Sequence, residues 1–114
     1  MADEFVPEFD ALPAEVRTEI LALSLLLEQF GPQLGRPRVD TLKGSRHANM
    51  KELRFGAVGG EWRVAFAFDS RRRAVLLVAS DKSGGSQKRF YRELIRKADR
   101  RFDRHLTQQK KEGK

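Results

Sequence analysis

Two short runs with strict alternation of apolar and polar residues flank a glycine-rich connector in the middle of the chain. They constrain the fold more than any other feature. Lys51-Glu52-Leu53-Arg54-Phe55 puts Leu53 and Phe55 on one face and Glu52 and Arg54 on the other. In the second run, Trp62, Val64, Phe66 and Phe68 share a face, and Arg63, Ala65 and Ala67 point the opposite way. Both runs read as strands, with Gly56–Glu61 as the hairpin connection. Pairing Phe55 with Trp62 sets Arg54 directly across from Arg63. Like charges directly opposite destabilise a sheet, so such a pair asks for a compensating anion. A one-residue slip would instead turn Arg54 to the core side.

The elements around this hairpin define an α+β domain. Pro13 opens a helix with an apolar stripe at Val16, Ile20, Leu23, Leu27 and Phe30, and Gly31-Pro32 closes it. Pro7 to Leu12 reads as a short helical turn before it. Residues 35–49 read as a long basic loop. A third strand, Ala74 to Ser80, follows the hairpin after the connector Asp69–Arg73. Ser86 caps a last helix whose stripe is Phe90, Leu94, Ala98, Phe102 and Leu106. The expected architecture is two N-terminal helices, a small antiparallel meander and a C-terminal helix. The helices pack on one face of the sheet, and the face bearing Arg54, Ala65 and Ala67 stays shallow and open. With 114 residues there is room for a single domain, 1–106, and residues 107–114 read as a polar, disordered tail.

Charge is unevenly distributed. Residues 1–33 hold one base, Arg17, against seven acids, a net of −6, so the remainder carries +13 of the total +7. A basic two-thirds of a small domain favours contact with a polyanion on one side. There is no cysteine, which excludes disulfides and thiolate metal sites, and a reducing compartment follows. No apolar run reaches membrane-spanning length and the start is acidic, so the chain reads as soluble and cytoplasmic. No cofactor or metal is expected.

In a meander, the end of the first strand, the start of the second and the end of the third lie at one end of the sheet. Arg54, Arg63 and Lys82 therefore converge there, with Glu52 diagonal to Arg63, and the start of the last helix returns Tyr91 to the same edge. Arginine offers planar bidentate donors to phosphate oxygens, and tyrosine can stack on a base or give a proton. The alternative is a purely structural role, with Glu52 pairing with an arginine and Tyr91 belonging to the core.

Leu42-Lys43-Gly44, Glu52-Leu53-Arg54, Trp62-Arg63-Val64 and Asp81-Lys82-Ser83, followed by a closing helix, resemble the RelE/HigB superfamily of toxins, most of all its phage-derived HigB-like branch. The resemblance spans roughly residues 8–106. It implies the toxin of a type II toxin–antitoxin module. Such proteins are metal-independent mRNA endoribonucleases, commonly ribosome-dependent, silenced by a cognate antitoxin that is often a helix-turn-helix protein. It also implies that Arg63 is the active-site arginine, that Glu52 and Arg54 are its partners on the preceding strand, and that Lys82 is the basic residue after the last strand. Tyr91 corresponds more loosely to an aromatic or basic catalytic side chain. Lys43, Arg46, His47, Lys51, Lys88 and Arg89 are the expected RNA contacts. In that scheme the 2′-OH attacks the adjacent phosphorus and leaves a 2′,3′-cyclic phosphate. Arg54 and Arg63 offset the developing charge, Lys82 or Glu52 is the base, and Tyr91 is the acid or a stacking platform. The chain departs from the resemblance in two respects: the strand that usually opens the domain is shortened or missing at Glu4-Phe5-Val6, and there is no obvious histidine acid/base pair, since His47 sits in the basic loop and His105 far along the last helix, where it reads as a surface residue. Two rivals fit the same charge, a ParE-like gyrase inhibitor and a non-catalytic nucleic-acid-binding module.

Overall fold

The structure is a computed structural model that describes residues 1–113. Helices α1 (Phe5–Asp10) and α2 (Ala14–Phe30) lead into a four-stranded antiparallel sheet, and α3 (Gln87–Glu112) closes the chain. The strands are β1 (Val39–Thr41), β2 (Lys51–Ala57), β3 (Gly60–Phe68) and β4 (Ala74–Asp81), in spatial order β1-β2-β3-β4.

The hairpin register is the one that the alternation dictates: Phe55 faces Trp62 and Arg54 faces Arg63. The loop is tighter than the glycine content suggests. Strand pairing continues to Ala57 and Gly60, leaving only Val58 and Gly59 as the turn, at φ of 46° and 73°. Two successive positive φ values define the hairpin turn whose twist matches that of the strands. Gly59 adopts this freely, whereas Val58 does so against its branched Cβ. Gly60 is required for space: a Cβ there would lie 2.5 Å from Asp81 Oδ2.

Both faces of the sheet are buried, which corrects the expectation of helices on one side only. Leu53, Val64 and Phe66 are fully buried on one face, beneath the α2 stripe of Val16, Ile20, Leu23 and Leu27. Ala65 and Ala67, on the other face, are also fully buried. There α3 crosses from Tyr91, bonded at Glu52 and Arg63, to His105 and Gln109, bonded at Asp69. The small alanines are what let a helix approach that face, so they mark a packing surface rather than an open one.

Three further expectations change. The segment 35–49 contains β1, whose three residues pair with Leu53, Glu52 and Lys51. The first helical turn is Phe5–Asp10 rather than Pro7–Leu12. Nor is residue 107 the start of a disordered tail, because α3 continues to Glu112. Gln109 holds the added turns, accepting from Ser70 and donating to Asp69, and Lys110 and Lys111 complement the C-terminal end of the helix dipole. Residue 114 of that expected tail lies outside the described residues. Among the described residues, no strand precedes α1. The exposed edge of β4 is instead covered by one backbone bond from Ala2 to the Leu76 carbonyl and by the Arg101 guanidinium on the Leu77 carbonyl. Arg101, 6% exposed, also forms a two-armed pair with Glu8 at 2.8 and 2.6 Å. Among the described residues, no helix is long and apolar enough to cross a membrane.

Two outcomes check this account. Val58→Asn, at a residue 56% exposed, relieves backbone strain without uncovering the core. It raises stability by about 1 kcal/mol, read as a higher urea midpoint. Glu8 has its pKa lowered, first by its bond to Arg101. Its contribution is therefore present above the unfolded carboxylate range and fades as pH falls through the lower folded value. The stability gap between the wild type and Glu8→Gln is open at pH 7 and closes in acid.

Candidate functional site

The sheet face beneath the start of α3 carries two carboxylates and two guanidiniums in adjacent rows. Asp40 of β1 pairs with Glu52 of β2, and Arg54 of β2 pairs with Arg63 of β3. Opposite charges meet on the diagonals. Arg63 Nε lies 3.7 Å from Glu52 Oε1, and Arg54 Nη1 lies 3.8 Å from Asp40 Oδ2. The repulsive Arg54–Arg63 pair is thus offset by protein carboxylates on either side.

The two diagonals differ in their access to water. Glu52 and Arg63 have side chains only 7% and 6% exposed, whereas Arg54 and Asp40 remain 31% and 35% exposed. Tyr91, in the first turns of α3, covers the inner pair. Its hydroxyl donates to Glu52 Oε1 at 2.9 Å and accepts from Arg63 Nε at 3.3 Å. Arg63 also donates to the Trp62 carbonyl at 2.9 Å. Burial pushes the Glu52 carboxyl above its ordinary range, against the lowering pull of Tyr91, Arg63 and Arg54. Burial likewise raises the Tyr91 phenol, with the neighbouring Glu52 adding to the rise. Asp40 moves the other way, first because the Thr41 N–H donates to it and also through Arg36 and Arg54. One face therefore presents a carboxyl biased toward protonation beside one biased toward ionisation.

Lys82 follows β4 at the same sheet end. Ser80 pairs with Arg63, so alternation places Lys82 on the Arg63 face, two residues further out. Its N–H donates to the Glu61 carbonyl at 2.6 Å, and its side chain makes no ion pair or hydrogen bond among the described residues. Asp81 fixes this corner by accepting from the Glu61 and Ser83 N–H groups and from the Ser83 hydroxyl. Beyond it, Gly84 and Gly85 both have positive φ, and Ser86 accepts from the Arg89 N–H to start α3.

The residues expected to touch RNA are not gathered in one place. Lys88 and Arg89 are exposed in the first turn of α3, near the site. Lys51 begins β2 and by alternation lies on the side opposite Glu52. Lys43 is exposed on the β1–β2 loop. Arg46 and His47 lie further along the same loop, which folds onto the middle of α3. Arg46 pairs with Asp103, His47 Nε2 lies 2.7 Å from the same carboxylate, and Ser45 donates to Asp99 at 2.5 Å. The His47 ring meets Phe102 edge-on. His105 is held 3.0 Å from Asp69. Sequence reasoning missed Asp40. Its one signal was the β-branched pair Val39 and Thr41 around it, a three-residue strand inside a stretch read as loop.

A concavity of about 740 Å³ lies elsewhere, between residues 2–4 and the C-terminal half of α3. Its Arg101 and Arg104 are engaged by Glu8 and Glu4.

The element order is that of a small α+β protein and is consistent with the RelE-like fold. The profile of the family described as "Phage derived protein Gp49-like (DUF891)" matches residues 7–103, and the chain belongs to that family. It is 46% identical over 100 residues to a Mycobacterium tuberculosis protein named "Putative toxin HigB2", covering 87% of this chain and 49% of that one. It is 42% identical over 99 residues to "Putative toxin HigB3" of the same organism, covering 87% and 84%. The chain thus spans about half the length of the first of these relatives and most of the second. No solved structure matches it significantly.

The Tyr91 hydroxyl gives a direct check on this geometry. Its bond lowers the Glu52 pKa, so in Tyr91→Phe the Glu52 carboxyl titrates at higher pH than in the wild type, as followed by carboxyl carbon NMR. The same change leaves two buried polar groups short of a partner and costs about 1–3 kcal/mol in denaturant unfolding.

Proposed function

We propose that this protein is the toxin of a toxin–antitoxin module and acts in the cytoplasm as an endoribonuclease on mRNA, with the ribosome helping to position the substrate. The observation that carries the reading is the Glu52–Arg54–Arg63–Tyr91 cluster, with Lys82 on the same face, in a chain whose relatives bear the name toxin.

In this reading Arg54, the more exposed guanidinium, receives the scissile phosphate, and Lys82 supports it from the end of β4. Arg63 is reached when Tyr91 leaves its place over the inner pair, the Gly84-Gly85 connector giving the start of α3 freedom to shift. The two arginines then stabilise the charge that develops as the 2′-OH attacks the adjacent phosphorus in line. The attack forms the 2′,3′-cyclic phosphate and breaks the bond to the 5′ oxygen of the next nucleotide. Glu52, released from Tyr91, takes the 2′-OH proton, while Tyr91 gives a proton to the leaving oxygen or stacks on a base. Exact placement of the reacting groups contributes several kcal/mol of barrier lowering, and an RNA already held in a ribosomal site needs less of it from so small a protein.

Arg63→Ala and Arg54→Ala each lower mRNA cleavage by about 10²-fold or more, measured as cleavage products in translation extracts. Circular dichroism of each variant separates lost cleavage from lost fold, and Arg54→Ala, on the accessible diagonal, disturbs the fold less than Arg63→Ala, which strands the buried Glu52. Full growth arrest and mRNA loss with Arg63→Ala would overturn the assignment. Filamentation and a DNA-damage response with intact mRNA would instead favour gyrase as target, and salt-sensitive RNA binding without products would favour a binding module.

A further inference from the structure

Helix α2 carries a second apolar stripe that the fold leaves uncovered. Its buried stripe is Val16, Ile20, Leu23 and Leu27. On the outer side, Ala14, Thr18, Leu21 and Leu25 follow one another at spacings of four, three and four, and all are exposed. Leu21 is 51% exposed and Leu25 66%, the latter the most exposed large apolar side chain among the described residues. The Thr18 hydroxyl donates to the Ala14 carbonyl within the helix, so its polar group is already satisfied. Such a four–three pattern is the seam by which one helix packs along another. Exposed acids flank it, Glu15 and Glu19 near its start and Glu28 at its end.

Charge and composition select the occupant. A second copy docking through its own α2 would set these acids against one another. A second copy docking through α3 would bring complementary charge but no apolar seam, since none of the exposed large apolar residues is on that helix. We propose that the outer face of α2 docks an amphipathic helix from a different chain, with aliphatic residues along its seam and Lys or Arg on its flanks. Resting on the toxin reading, that chain is the antitoxin. It holds the toxin by the acidic side of the domain, on the face of the sheet opposite Glu52, Arg63 and Tyr91.

The test uses two labelled 28-residue heptad peptides with leucine at the seam positions, one flanked by lysine and the other by glutamate. Fluorescence anisotropy measures binding to the full chain. The lysine-flanked peptide is expected to bind the wild type at least tenfold tighter than the Leu21→Glu/Leu25→Glu variant. It is expected to lose a similar factor against Glu15→Lys/Glu19→Lys/Glu28→Lys, which gains affinity for the glutamate-flanked peptide. All the substituted residues are exposed, and circular dichroism verifies the fold. Equal binding of the lysine-flanked peptide to the wild type and the double leucine variant overturns the proposal. So does a wild-type dimer in sedimentation velocity that the leucine variant dissolves. Expression without a partner separates this from the toxin reading. Growth arrest by the wild type alongside absent binding of the lysine-flanked peptide to it overturns only the docking face, whereas intact peptide binding with no growth arrest by the wild type overturns only the toxin reading.

Discussion

The interaction on which the rest of the structure depends is the buried contact of Glu52 and Arg63 beneath Tyr91. An ion pair this far from water loses hydration that its mutual attraction only partly restores, and it persists when further hydrogen bonds complete it. The Tyr91 hydroxyl and the Trp62 carbonyl supply those bonds. That requirement fixes where α3 begins, how closely it lies on β3, and why Ala65 and Ala67 are small. Asp40 and Arg54 continue the alternation of sign at the accessible margin, where water remains.

The acidic N-terminal third has two roles. Glu4 and Glu8 turn inward to Arg101 and Arg104 and neutralise part of the basic helix, tying the first turns of the chain to its last long element. The acids of α2 instead face outward. Among the described residues, Lys82, Lys88 and Arg89, at the end of β4 and the start of α3, pair with no carboxylate. The overall charge of +7 therefore understates the contrast between the two sides.

The hairpin was legible because its signals agree. Two alternating runs put their aromatic residues on one side, and closing the hairpin through Phe55 and Trp62 gives the Arg54–Arg63 pairing that the structure has. The stripe of α2, its glycine stop and the Ser86 cap are likewise local chemistry. What escaped the reading depends on partners far along the chain. Arg101 resembles any other charge in a basic helix until Glu8 and the Leu77 carbonyl surround it. Arg46 and His47 read as free loop cations, yet Asp103 claims both. The alanine face is ambiguous in sequence because small side chains suit both a shallow groove and a close helix contact, and period alone does not separate the two. Asp40 was hidden because three residues are too few for alternation to register.

The long closing helix joins the ends of the chain: Arg101 reaches Glu8 across 93 residues, and Arg104 reaches Glu4 across 100. Contacts so remote in sequence form late in folding. During synthesis the sheet and α2 leave the ribosome before the helix that supplies Tyr91 and covers Ala65 and Ala67. The charged face is therefore assembled in its final form only once α3 lies on the sheet. Until α3 docks, Glu52 and Arg63 lack the cover of the Tyr91 hydroxyl.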